Sequence, residues 1–114
     1  MGRRHTPMIV KRAWGEYHTL LDIQGCKVKT LTMEPGTTMS MQRHFKRNEI
    51  WVVTSGKCVV LSLDKTIELN THDSYRIEKT EWHQLSNPHD IHCTLIEVQY
   101  GEQCSEDDIE RKHA

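Results

Sequence analysis

An all-β sandwich or barrel is what this sequence predicts, and three observations predict it. Apolar and polar residues alternate in short runs, as in Cys26-Lys27-Val28-Lys29-Thr30-Leu31-Thr32-Met33, instead of recurring at helical spacing. Turn chemistry interrupts these runs roughly every six to twelve residues, the rhythm of short antiparallel strands. Helix-start character is confined to one stretch near the end, Glu106-Asp107-Asp108-Ile109-Glu110-Arg111, with Ser105 before it as an N-cap and acids in the first turn.

Taken in order, Met1 to Lys11 are weakly patterned and predict an arm or an edge strand. Arg12-Ala13-Trp14-Gly15 leads into a first strand over Glu16–Leu21, and Gln24-Gly25 turns the chain into the Cys26–Met33 strand. Pro35-Gly36 is a turn, because Pro fixes φ and Gly accepts φ > 0. Ser55-Gly56 predicts a hairpin joining Ile50–Thr54 to Lys57–Leu63, and Asp64-Lys65 the next reversal, into Thr66–Leu69. Asn70-Thr71-His72-Asp73 and Asn87-Pro88-His89-Asp90 are turns that bracket strands at Ser74–Ile77 and Trp82–Ser86, and Ile91–Tyr100 is the longest strand. The organisation expected is a barrel over residues 12–101, the arm before it, and a short helical tail over 102–114.

At 114 residues the chain is expected to form one domain with one core. Its net charge of −1, with both signs interspersed, gives no electrostatic footprint for nucleic acid, and Arg3-Arg4 and Lys46-Arg47 are too short to make one. No run is long and apolar enough for a membrane helix. The four cysteines (Cys26, Cys58, Cys93 and Cys104) form no CxxC pair and follow no apolar leader, so reduced thiols and a cytoplasmic location are expected.

The chemistry concentrates in Gly36-x5-Gln42-x-His44-x4-Glu49-x6-Gly56, followed later by His83-x3-Asn87. On a strand Gln42 and His44 face the same side, and Glu49 opens the next, Val- and Trp-rich strand. Two imidazoles, a carboxylate and an amide carbonyl from neighbouring strands make a divalent-metal site. The two segments supplying them read as two halves, an arrangement that a jelly-roll barrel delivers naturally because inward residues of adjacent strands meet in its mouth.

These residues resemble the two motifs of the cupin superfamily. More narrowly, the chain is similar to the C-terminal cupin domain of type II phosphomannose isomerases, often fused to a mannose-1-phosphate guanylyltransferase. The likeness runs through Arg12–Tyr17, Lys27–Gly36, Ser40–Gly56, Ser74–Asn87, Leu95–Gly101 and Glu106–Ile109, against family patterns RPWG, QxHxHRAEHWxVVxG, IEVQxG and EDDI. It implies a double-stranded β-helix and a metal set of Gln42, His44, Glu49 and His83. Zn suits that set best, and Mn, Fe, Co or Ni are also possible. Ala13, Phe45, Lys46, Asn48, Glu78 and Thr80 depart from the family's residues, Thr80 standing where the family has Gly.

The activity implied is interconversion of mannose 6-phosphate and fructose 6-phosphate, with a phosphosugar as partner and two copies of the chain expected to pair through exposed strand edges. Glu97 is the candidate base, on the same face as Gln99; its alternative reading is a structural partner for a buried Arg or Lys. Arg47 and Lys29 are candidate catalytic cations, and Arg12 with Arg47 candidate substrate contacts; Lys29 and Arg12 can equally be solvated strand residues. Two other function classes compete. A His44/Glu49/His83 triad is also the donor set of non-haem iron dioxygenases, and a cupin can bind a sugar or nucleotide sugar without turning it over. Trp14, Trp51 and Trp82 read as packing, Met33, Met39 and Met41 as core filler, and His72, His89 and His92 as spectators.

Overall fold

The computed structural model describes residues 8–112, and all regular structure in them is β. The strands are β1 (Ile9–Arg12), β2 (Gly15–Ile23), β3 (Cys26–Met33), β4 (Thr37–Thr38), β5 (Met41–Arg43) and β6 (Arg47–Ser55), then β7 (Cys58–Leu61), β8 (Thr66–Leu69), β9 (Ser74–Ile77), β10 (Gln84–Asn87), β11 (Cys93–Gly101) and β12 (Glu110–Lys112). Six of them form one sheet in the order β1-β2-β3-β11-β6-β9, four form a second in the order β4-β10-β7-β8, and β12 pairs β5. Every pairing is antiparallel. β1 is an edge strand of the six-stranded sheet; Arg3 and Arg4, with the rest of the predicted arm before Met8, lie outside the described residues.

Period-two alternation decides what faces inward. In β6 and β11 every second residue is buried, and the two inward rows change character along the strands. Register turns these rows into layers. Met33 pairs Cys93, and Leu31 pairs Leu95, which also pairs Val53, making an apolar half. The next layers are Lys29–Glu97–Trp51 and Lys27–Gln99–Glu49, followed by Arg47 opposite Gly101. The apolar layers join Cys58, Val60, Leu69, Ile77 and Leu85 as the core between the sheets. Charge is therefore collected at one end of the barrel interior, and that end is the candidate site. Asn87 closes the corner, donating its buried amide to the carbonyls of Met33, Glu34 and Ile91, so it serves the scaffold.

Two sequence expectations fail. Ser55-Gly56 does not make a hairpin between β6 and β7. Both sides of β6 are already paired, to β11 and β9, so the chain crosses to the other sheet, where β7 lies between β10 and β8. Gly56 makes that crossing at φ 77°, and a Cβ there would stand 2.4 Å from the His92 carbonyl oxygen. The tail is not helical either. Ser105 does cap a single turn, its Oγ accepting from Asp107 N–H at 3.1 Å. The Asp108 carboxylate is then taken by the backbone N–H groups of Phe45 (3.0 Å) and Lys46 (2.9 Å), and residues 110–112 pair β5. A helix of so few residues is too short to nucleate against these tertiary bonds.

Thr80 adopts φ 67°, a left-handed conformation that costs a β-branched residue about 1–3 kcal/mol. Its side chain is exposed. Thr80→Gly is therefore expected to stabilise the fold by about 1 kcal/mol, read as a higher denaturant midpoint at unchanged m-value. A lower midpoint would show that the Thr side chain contributes more than the strain it imposes.

Candidate metal centre

Among the described residues, one group of side chains is placed to hold a metal ion: His44, Glu49 and His83, all buried, with ligand atoms within 4.8 Å of one another. Glu49 comes from the inward row of β6, while His44 and His83 lie just outside β5 and β10. A two-residue bridge between Gln42 and His83 (backbone N–H to carbonyl 2.9 Å in both directions) clamps those segments together.

The tautomers are set by backbone carbonyls. His44 Nδ1 lies 2.7 Å from the Asp108 oxygen and His83 Nδ1 2.9 Å from the Glu81 oxygen. Carbonyls only accept, so both Nδ1 atoms carry the proton and both Nε2 atoms offer a lone pair. Burial, with the Arg47 charge second, holds His44 down to about 4, and burial also lowers His83; both rings are neutral at neutral pH, as ligation requires. Arg47 donates from Nε to Glu49 Oε2 (2.9 Å) and from Nη2 to His44 Nε2 (3.2 Å), so a divalent ion would compete with this guanidinium for the same lone pairs.

The donors fit such an ion: two neutral imidazoles and a buried carboxylate suit a borderline first-row cation. The carbonyl oxygen of fully buried Gln99, paired in register with Glu49, accepts no hydrogen bond among the described residues. Gln42 is half-buried, and its amide nitrogen donates to the Ser40 carbonyl (3.3 Å) and hydroxyl (3.2 Å).

Beside the ligands lies a cavity of about 220 Å³. Gln42, Arg12, Lys29, Arg47 and Glu97 all line it, so the structure gathers onto one wall system residues chosen from distant parts of the sequence. Lys29 is not a solvated strand residue: it is only 4 % exposed, its ammonium 4.1 Å above the Tyr17 ring and 2.7 Å from Glu106 Oε2. Glu97 has no Arg or Lys at ion-pair distance among the described residues. Its two oxygens accept instead from Trp51 Nε1 (3.1 Å) and Gln99 Nε2 (3.0 Å). Burial, with the Glu49 charge adding to it, pushes Glu97 up to about 7.

Sequence reasoning missed three contributors. Trp51 Nε1 also stands 3.1 Å from Glu49 Oε1, so one indole N–H bridges the candidate ligand and the candidate base. The period-two rule places Trp51 on the face of Glu49, and that signal was available. The tail supplies the other two, Glu106 on Lys29 and the Asp108 carbonyl on His44, and nothing local announces either.

Comparison with known proteins identifies the family. A family model described as Mannose-6-phosphate isomerase C-terminal matches residues 2–114. The chain belongs to this family. Among curated relatives, the alginate biosynthesis protein AlgA of Pseudomonas aeruginosa is 43% identical over 103 residues, covering 90% of the chain and 21% of the relative. A mannose-1-phosphate guanylyltransferase of Sinorhizobium fredii is 36% identical over 100 residues, covering 88% and 20%. The chain thus spans about a fifth of the length of these relatives.

Solved structures share the fold. They include the capsular polysaccharide assembling protein CapF of Staphylococcus aureus (TM-score 0.78, 20% identity, 97% of this chain and 34% of that one). A sugar phosphate isomerase of the cupin superfamily from Silicibacter pomeroyi has a TM-score of 0.70 at 17% identity, covering 86% and 75%. This member of the mannose-6-phosphate isomerase C-terminal family therefore has the jelly-roll barrel of the cupins, without the helical tail. Among the described residues, no helix is long and apolar enough to cross a membrane.

Proposed function

We propose that this domain is a metal-dependent sugar-phosphate isomerase, interconverting mannose 6-phosphate and fructose 6-phosphate through a cis-enediolate. The observation that carries the reading is the placement of Glu97: a buried carboxyl lining the cavity, joined through the Trp51 N–H to a candidate metal ligand, with Lys29 and Arg47 on the same cavity. Family membership and the sugar-phosphate chemistry in the relatives' names support it.

Aldose–ketose isomerisation moves one proton from C2 to C1 and one from the C2 hydroxyl to the C1 oxygen, with no net proton change. Glu97, as carboxylate, takes the carbon proton and returns it as the acid; a carboxyl raised toward neutrality can do both. A divalent ion held by His44, Glu49 and His83, with the Gln42 carbonyl as a fourth donor, would supply Lewis-acid stabilisation of the oxyanion. Arg47 and Lys29, both buried, add fixed positive charge, Lys29 held in place by Tyr17 and Glu106. Arg12 and Arg47 are the proposed contacts to the anionic substrate. The size of the cavity favours a single sugar over a nucleotide sugar, because pockets for larger ligands run to about 300–1,000 Å³.

The test is a coupled assay on metal-reconstituted protein, offering mannose 6-phosphate with Zn, Mn, Co and Fe in parallel. Turnover abolished by chelator is expected. Silence with every metal, from folded and loaded protein, would overturn the isomerase and leave a sugar-binding cupin. A second reading rests on the donor types: two His and one carboxylate are also the donor set of non-haem iron oxygenases. Oxygen uptake after anaerobic iron loading would establish that reading.

A further inference from the structure

The four cations on the cavity are not equivalent. Lys29 is matched by Glu106 at 2.7 Å and Arg47 by Glu49 at 2.9 Å. Burial opposes ionisation of Glu106, but the Lys29 hydrogen bond and charge, with Lys27 at 3.3 Å on the same oxygen, outweigh it and hold the carboxyl below its ordinary value, so it stays ionised opposite Lys29. Arg12 and Arg111 are different. Neither has a carboxylate at ion-pair distance among the described residues. Both are exposed, and both line the cavity.

They reach it from opposite ends of the chain. Arg12 ends β1, its guanidinium 5.5 Å above the ring of Tyr17, which is on the cavity too. Arg111 lies on β12 directly opposite Gln42, so the two share a face. The flanking Glu110 and Lys112 point the other way. Glu110 pairs Arg43, and the Lys112 ammonium sits 5.9 Å from the Trp82 ring. The β-ladder that replaces the expected helical tail is thus what brings Arg111 to the cavity.

We infer that Arg12 and Arg111 form a clamp for a phosphate monoester dianion at the mouth of the cavity. Two uncompensated guanidiniums match a group carrying about −1.5 to −2 charge at neutral pH, and their planar donors suit its oxygens. The inference rests on the isomerase reading for the identity of the sugar, and it assigns the substrate's direction. The phosphate sits outside, and C1 and C2, at the far end of an open-chain hexose, lie at Glu97. Arg47, committed to Glu49 and His44, serves the reacting end. Arg111 is then a specificity-determining residue.

The test is calorimetric titration of metal-loaded protein with mannose 6-phosphate, inorganic phosphate and mannose, on wild type, Arg12→Gln, Arg111→Gln and, as a charge-matched control, Lys112→Gln. Each arginine variant is expected to weaken mannose 6-phosphate and inorganic phosphate by about tenfold or more and to leave mannose unchanged. KM should rise with little change in kcat, the mark of binding lost equally from ground and transition states. Lys112→Gln should behave as wild type. Folding is checked by thermal melting of each variant, and because both side chains are exposed their loss removes no core contact. Unchanged phosphate binding in both arginine variants, an equal loss in Lys112→Gln, or no phosphate binding by wild type would each overturn the clamp. Clamp-dependent binding without turnover would sink the isomerase and leave the clamp standing.

Discussion

Glu97→Gln is expected to lower isomerase turnover by about 10²–10⁴-fold, the range that a positioned general base contributes, while metal content stays at the wild-type level. The substitution is close to isosteric, and its surroundings can absorb it. Trp51 N–H still meets a carbonyl oxygen, and Gln99, whose own Oε1 lacks a donor, can rotate its amide to accept from the new NH₂ group. A fall in kcat alone therefore reports chemistry and not collapse of the site. Turnover within a few-fold of wild type would remove Glu97 from the role of base.

A linked stability effect separates the two sides of the same residue. In the metal-free protein the folded Glu97 carboxyl titrates at about 7, against an ordinary 4.5, chiefly because it is buried. Between those values the folded state holds a proton that the unfolded state has released. Stability is then present in full below about 4.5 and is lost as pH rises through 7. Glu97→Gln removes that loss, so metal-free variant protein is expected to melt higher than wild type at pH 8 and to match it more closely at pH 5. A base kept in a destabilising place is the usual mark of function traded against stability. Equal melting temperatures at both pH values would show that the buried carboxyl is not strained.

What could be read in advance follows a physical boundary. Cys26–Met33 is readable to the residue, because alternation and its flanking turn are local. Glu97 and Gln99 are readable as one inward face for the same reason. The crossing at Gly56 is not, since whether β6 pairs β7 depends on how many other strands already claim β6. The tail fails similarly. Ser105 and its acids carry a real N-cap signal, and the structure forms that one turn, but Asp108 is consumed by Phe45 and Lys46, more than sixty positions away in the chain. Lys29 shows the converse. An alternating strand with Lys at every second place looks solvated on that face, yet Tyr17 and Glu106 close over this one. The fold class depends on repeated local pattern, whereas the site depends on which strands meet.

Loss of either imidazole is the other large effect. His44→Ala and His83→Ala are each expected to abolish stoichiometric metal binding, a greater loss than the about 10–100-fold that follows removal of an outer partner of a ligand. Plasma-emission metal analysis of folded, reconstituted protein reads this directly, without any activity. For the carboxylate the informative change is Glu49→Gln. Glu49→Ala would leave the buried Arg47 guanidinium unpaired, a defect worth about 3–5 kcal/mol of stability, and would confuse unfolding with metal loss. Gln42→Ala then divides the two chemistries. If Gln42 supplies a fourth donor, its loss weakens metal and turnover together. If the working site is the His44/Glu49/His83 triad alone, Gln42→Ala keeps its metal. Metal retained in both histidine variants, with the fold intact, would show that the cluster is a buried polar network held by Arg47 and not a metal centre.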